Sequence, residues 1–157
     1  MSTGSLKSSP LERVRGIADV QFGRGVGVQL FPDTVEFGFS KTRRVRYILL
    51  GGERLATLRA HDGRLTLSMK GAAMLHSLLE QPAYRVYIDE QVVEFIARGK
   101  NAMAKHVTAA DAKIRPGDEV LVVTSRDELI ATGSAMLSGP EMLAFNYGVA
   151  VTIRKGC

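Results

Sequence analysis

Only one cysteine, Cys157, occurs among the 157 residues. It has no partner within the chain, and a secreted chain usually closes its cysteines in pairs, so the sequence points to a reducing, cytoplasmic compartment. Long apolar runs are missing as well. The longest uncharged stretches, Leu129 to Pro140 and Met142 to Ile153, hold 12 residues each. A membrane helix needs roughly 20, so no membrane partner is expected. The opening MSTGSLKSSP lacks the apolar centre of a signal peptide, and residues 1–9 read as a flexible lead.

The usual catalytic patterns are also scarce. The three histidines, His61, His76 and His106, lie 15 and 30 residues apart with the cysteine at the far end, a spacing that suits neither zinc nor iron. Gly23, Gly25 and Gly27 suggest a dinucleotide loop only at first sight. Leu30 stands where the third glycine of that fingerprint belongs, and no strand leads in, so a helix end and a bend explain the cluster. There is no nucleophile elbow, no phosphate loop with Lys-Ser/Thr, and no serine, histidine and acid at a recognisable spacing. Asp111, Asp118, Glu119, Asp127 and Glu128 crowd one region but fall in predicted turns, where exposed acids at their ordinary pKa are expected. No cofactor, no metal and no catalytic residue is expected.

What the chain has is positive charge in one place. Lys plus Arg total 21 against 16 Asp plus Glu, a net +5 that favours polyanionic partners. Residues 1–83 carry 12 basic and 7 acidic side chains, while 84–157 carry 9 of each. The excess concentrates where Lys41, Arg43, Arg44, Arg46, Arg54, Arg59, Arg64 and Lys70 face only Glu53 and Asp62. Most of these are arginines, whose planar fork suits phosphate oxygens. A solvated sheet face is the plainer explanation of such a run.

Ser9, Pro10 and Glu12 form a helix-start pattern, and Leu11, Val14, Ile17, Ala18 and Phe22 recur at helical spacing until Gly23. Val35, Phe37 and Phe39 alternate as in a strand with one buried side. Strands are predicted at 45–50, 54–60 and 64–69, joined by Gly51-Gly52 and His61-Asp62-Gly63 into a meander. Leu55 and Leu58 break strict alternation in the second of these. Met74, Leu75, Leu78 and Leu79 mark a short helix ending near Gln81-Pro82, the best internal boundary. Beyond it come a strand at 85–88, a helix capped by Asp89 with Val92, Val93, Phe95 and Ile96, a stop at Gly99, and strands at 101–107, 119–124, 129–137 and 148–154. So many short strands imply a small barrel, which leaves few exposed edges.

Three segments of the second half, RGKNAMAKHV (98–107), DAKIRPGDEVLVV (111–123) and LIATGSAMLSGPEM (129–142), closed by GVAVTIR (148–154), resemble a PUA domain, the module named after pseudouridine synthases and archaeosine transglycosylases. In the first half, IADVQFG (17–23) and the stretch 40–75 are similar to the domain preceding the PUA module in archaeosine tRNA-guanine transglycosylase. The resemblance implies an α+β N-terminal domain over 10–82 and a mostly β PUA pseudobarrel over 84–157. It also implies an archaeal origin and RNA contacts in the loop after the first PUA helix and in the last strand. Carried over by position, these are Gly99, Lys100, Asn101 and Ala102 with Lys105 nearby, and Gly148, Val149, Ala150 and the strand to Arg154. Gly99 also serves as a plain helix C-cap, and the two roles are compatible. The family's catalytic barrel, with its aspartates and zinc site, has no counterpart in these 157 residues.

The expected function is non-catalytic binding of structured RNA such as tRNA, as a detached subunit or accessory factor of a modification enzyme with a separate catalytic transglycosylase subunit. Lys41, Arg43, Arg44 and Arg46 would hold phosphates. Two other classes stay open: a translation or ribosome-associated factor, and a module that docks a partner enzyme. Exposed apolar surface around Met136, Leu137, Met142 and Leu143 would mark the last, although burial in the barrel explains those residues more simply. Tyr47, Tyr87 and Tyr147 are read as core or rim residues before base-stacking ones.

Overall fold

The computed structural model describes residues 9–156. Residues 1–8, most of the segment for which a flexible lead was expected, and Cys157 lie outside the described residues. No helix among the described residues is long and apolar enough to cross a membrane. Two compact units divide the chain between Thr66 and Leu67.

The first unit opens on helix α1 (Pro10–Phe22), whose start is set by the expected pattern. The Ser9 hydroxyl accepts from the Glu12 amide while the Glu12 carboxylate accepts from the Ser9 amide, so two orphan donors are satisfied reciprocally. Val14, Ala18 and Phe22 turn one face inward, each large apolar side chain contributing about 2 kcal/mol by burial. A short helix α2 (Val26–Leu30) packs against it so closely that a Cβ on Gly27 would lie 2.2 Å from the Arg15 carbonyl oxygen. Strands β1 (Glu36–Phe39), β2 (Val45–Leu50), β3 (Glu53–Leu58) and β4 (Leu65–Leu67) then run as the expected antiparallel meander. Gly51 and Gly52, at φ 60° and 81°, make the two-residue turn whose twist matches paired strands.

Two details differ from the alternation read in the sequence. The β1–β2 register shifts between Gly38 and Phe39, so that Phe39 pairs with Val45 and is 55% exposed instead of buried. In β3 the adjacent residues Leu55 and Ala56 are both buried, next to a register shift in the facing strand. That irregularity is what the broken pattern of RLATLRA reflects.

The second unit contains helix α3 (Met69–Leu78), which starts before its apolar stripe because the Ser68 hydroxyl caps the Gly71 amide. This takes Met69 out of the predicted strand 64–69. Six of the described strands form one sheet in the order β6-β10-β9-β8-β5-β7. These are β5 (Arg85–Ile88), β6 (Ala102–Met103), β7 (Val107–Ala110), β8 (Glu119–Val123), β9 (Leu129–Ala135) and β10 (Val149–Gly156). The β5–β8 pair is parallel and the others antiparallel. Its two edge strands, β6 and β7, are separated in the chain only by a 3-10 turn, Ala104–His106, so the sheet nearly closes into a barrel. The expected strand 101–107 is thus two strands and a turn. Helix α4 (Val93–Ala97) follows a 3-10 turn capped by Asp89, and Val86, Ile88, Ile96, Val120, Val122, Met142 and Val151 share the core.

Two short helices were not expected from the sequence: α2, in the stretch read as a helix end and a bend, and a last one in the second unit. Helix α5 (Gly139–Ala144) repeats the device of α1: the Ser138 hydroxyl and the Glu141 carboxylate cap each other's backbone amides, with Pro140 in the first turn. It buries Met142 but leaves Leu143 and the preceding Met136 each 53% exposed, so burial in the barrel accounts for only part of that apolar group.

Three of the acids of 111–128, Asp111, Glu119 and Asp127, differ from the exposed turn residues expected, whereas Glu128 is exposed as expected. Glu119 opens β8, all five of whose residues are buried. Asp111 accepts from the Tyr84 and Lys113 amides. Asp127 receives Arg85 Nε at 2.6 Å, and that arginine is 2% exposed. These carboxylates are structural partners of buried donors.

Candidate nucleic-acid interface

In the first unit the β1–β2 turn shapes the basic loop. The Ser40 amide donates to the Arg44 carbonyl (2.8 Å), its carbonyl accepts from the Arg43 amide (2.9 Å), and its Oγ accepts from the Arg44 amide (3.2 Å). Closing the turn this way sets Arg43 at φ 64°. That is the left-handed region, which costs a residue with a Cβ about 1 kcal/mol. Glycine or asparagine would sit there more easily, so what arginine adds is charge.

The loop borders a groove of about 780 Å³. Arg13, Val14 and Ile17 of α1 line it together with the loop as far as Arg46, with Leu58 at the end of β3, and with Arg59, Ala60 and Gly63 beyond it. Of the basic run, Lys41, Arg43, Arg44, Arg46 and Arg59 meet at this groove, whereas Arg54, Arg64 and Lys70 do not line it. No acidic side chain is among its described lining residues. Lys41, Arg43, Arg44 and Arg46 enter no ion pair among the described residues. Cations gathered without counter-charge around a concave, low-dielectric wall focus a positive potential.

Arg59 differs from its neighbours. Asp62 holds it from both sides, Nε to Oδ1 at 3.2 Å and Nη2 to Oδ2 at 2.6 Å. Burial pushes the Asp62 carboxyl up, but the Arg64 amide and the Arg59 guanidinium outweigh it and keep the group below its ordinary value. Arg13 and Arg59 complete a site that the sequence reading limited to Lys41, Arg43, Arg44 and Arg46. Arg59 belongs to the basic run already noted, whereas no local signal marks Arg13, which only tertiary folding brings to the groove.

In the second unit the loop after α4 and the last strand meet along the β6–β10 pairing, where Met103 faces Val149 and Ala102 faces Val151. The Ala104 amide donates to the Gly148 carbonyl (2.9 Å), and Asn101 Oδ1 accepts from the Ile153 amide (3.0 Å). Gly99, Lys100, Asn101, Lys105 and Gly148 are exposed, whereas Ala102 and Ala150 are buried and their methyl groups face the core. Gly99 sits at φ 100° with open space around it, a conformation that side chains rarely adopt.

Residues 12–82 match the family model of the patch-forming domain C2 of tRNA-guanine transglycosylase, and residues 84–157 match that of the PUA domain. The chain is a PUA-domain protein. It is 45% identical over 150 residues to the tRNA-guanine(15) transglycosylase of Pyrococcus abyssi, an alignment that takes in 96% of this chain and 25% of that enzyme. The chain spans about a quarter of the length of the curated relatives it matches. Among solved structures, a hypothetical protein of Pyrococcus horikoshii OT3 superposes with a TM-score of 0.73 at 23% identity, over 93% of this chain and 89% of that one. A conserved PUA domain protein from Thermoplasma acidophilum gives 0.63 at 20% identity, over 99% and 91%. These two structures support the fold: an α+β first unit followed by a mostly β, barrel-like second.

Within the PUA domain, Arg154 is not a freely exposed cation of the last strand. Its guanidinium grips both oxygens of Glu119, Nη2 to Oε1 at 2.6 Å and Nη1 to Oε2. Glu119 Oε2 also accepts from the Leu67 amide (2.8 Å) and the Thr132 hydroxyl (3.2 Å). Burial pushes the Glu119 carboxyl above its ordinary value, and Arg154 with these hydrogen bonds pulls it back only in part. Arg154 therefore neutralises a buried acid. Tyr147, beside Gly148, is 71% exposed and stacks on Phe145 with ring centroids 5.8 Å apart and planes 8° from parallel. A rim position for this tyrosine was expected, but its pre-ordered ring was not. No group of three His, Cys, Asp or Glu side chains among the described residues could hold a metal ion.

Proposed function

We propose that this PUA-domain protein binds structured RNA, tRNA foremost, in the cytoplasm. It would provide the RNA-binding part of a modification activity of the tRNA-guanine transglycosylase type, whose catalytic barrel lies outside these 157 residues. The functional modules in this reading are 10–82 and 84–157. The observation that carries it is the acid-free groove lined by Lys41, Arg43, Arg44 and Arg46 in a chain whose two halves match a transglycosylase C2 domain and a PUA domain. Phosphates would lie along those cations and give a salt-dependent affinity that is largely independent of sequence. In the PUA domain, Gly99, Lys100, Asn101 and Lys105 would receive RNA beside Gly148 and Val149. Ala102 and Ala150 would contribute only backbone, and Arg154 would act by fixing the strand.

The half-exposed Met136 and Leu143 favour a second reading, the seating of a separate catalytic subunit on the PUA domain. One comparison separates the two: filter binding of tRNA with and without its single-stranded 3′ terminus at low and high salt. The RNA-binding reading expects tighter binding of the intact tRNA and weakening of both by salt. Absence of measurable tRNA binding at low salt would leave only the docking role.

A further inference from the structure

We infer that the groove of the first unit is a receptor for one unpaired nucleotide, its phosphate on the arginine rim and its base on the apolar floor. This rests on the RNA-binding reading and goes beyond it, because phosphate contacts alone require neither a cavity nor an apolar wall. A duplex presents its backbone as a convex ridge and keeps its base faces stacked, so a flat basic surface would serve it as well. Here the cations surround a concavity of about 780 Å³ into which Val14, Ile17, Val45 and Leu58 project carbon. Pockets of this size and mixed lining are the kind that enclose a planar organic group, with a few polar groups fixing its orientation.

Arg59 supplies a second reason. Paired through two nitrogens with Asp62, it adds little net charge to the rim, yet the pairing holds its guanidinium plane still at the groove wall. A guanidinium held flat is a stacking surface for a base. Arg43, also lining the groove, keeps its left-handed backbone and its unpaired charge, available to the phosphate of the same nucleotide. Volume, apolar floor, immobilised plane and free cation thus match the separate parts of a single nucleotide.

The test compares two hairpin RNAs, one fully paired and blunt and one with a single bulged nucleotide, by fluorescence anisotropy with the full chain. The wild-type protein should bind the bulged hairpin about tenfold more tightly, and 2-aminopurine at the bulge should change its emission on binding. Ala60→Leu fills the groove from an exposed turn position without removing a cation. It should abolish the preference for the bulged hairpin over the blunt one. Leu58→Ala, which removes floor instead of filling it, should reduce the preference as well. Equal affinity of the wild type for both hairpins would overturn the inference, as would a preference that survives Ala60→Leu. So would competition by a polyglutamate peptide as effective as that by the bulged RNA. Failure to bind either hairpin would instead defeat the underlying RNA-binding reading.

Discussion

Replacing Arg43, Arg44 and Arg46 together by glutamine lowers tRNA affinity by about a hundredfold near physiological salt, at about 1 kcal/mol for each lost charge contact. The same change flattens the plot of log affinity against log salt by about 2 to 3, since each neutralised phosphate contributes about 0.7 to 0.9 to the slope. The effect is large because these side chains line one groove and have no ion-pair partner among the described residues. Their charge is therefore available to a ligand. A salt series of filter-binding isotherms reads both quantities, and a variant with an unaltered slope would remove the groove from the RNA contact surface. Arg43→Gly provides the internal control. Glycine accepts φ 64° without cost, so the thermal midpoint should stay level or rise while affinity falls. A contact made for RNA and against local backbone preference predicts that opposite movement; a purely structural arginine would lose both.

Arg154→Leu is expected to destabilise the protein by about 3 kcal/mol at neutral pH, because it strands a buried carboxylate without its cation. Glu119 is 3% exposed, so water cannot replace the guanidinium. The double variant Glu119→Leu with Arg154→Leu should recover most of that loss, since burying neither charge avoids the desolvation cost that pairing must offset. Urea midpoints measure both. The pH dependence has a definite sign. Burial raises the folded pKa of Glu119 above its ordinary 4.5, so the native state holds this proton more tightly than the unfolded chain does. The corresponding stability is fully present below the unfolded value and is lost as pH rises through the folded one. Glu119→Gln should remove that part of the decline, and Arg154→Leu should steepen it. A decline of equal size in Glu119→Gln would assign it to other groups.

How much of this was legible in the sequence depended on whether the deciding interaction was local. The Ser9 and Glu12 pair, the Gly51-Gly52 turn and the Gly99 stop act over a few residues, and each is found where the pattern puts it. The α5 cap was equally legible, since Ser138, Pro140 and Glu141 repeat the α1 device, but the reading of a strand over 129–137 left the residues after it without an element. Phe39 escaped because a register shift in the facing pair, invisible to alternation, turns it outward.

The site divides the same way. The cluster Lys41 to Arg46 could be found because one hairpin turn holds it. Arg59 stands in the same basic run but Arg13 does not, and both reach the groove only through the packing of α1 and the end of β3. The ion pair of Arg154 is hidden from the sequence for the same reason. Its partner Glu119 is 35 residues away in sequence and faces it only after β9 and β10 pair in the barrel. Glu119 sits at the foot of RPGDEV, which reads as a turn, although the run VLVV that follows signalled a buried strand and hence a buried first residue.

Ultraviolet crosslinking of the full chain to tRNA, with the attached peptides mapped by mass spectrometry, asks most directly which surface meets RNA. Crosslinks should concentrate in residues 40–46 and at Arg59, and in the loop from Gly99 to Lys105 with Tyr147 to Val149. Attachment confined to other exposed cations, Lys113, Arg115 and Arg126, with none at the groove or along the β6–β10 rim, would contradict the proposed interface.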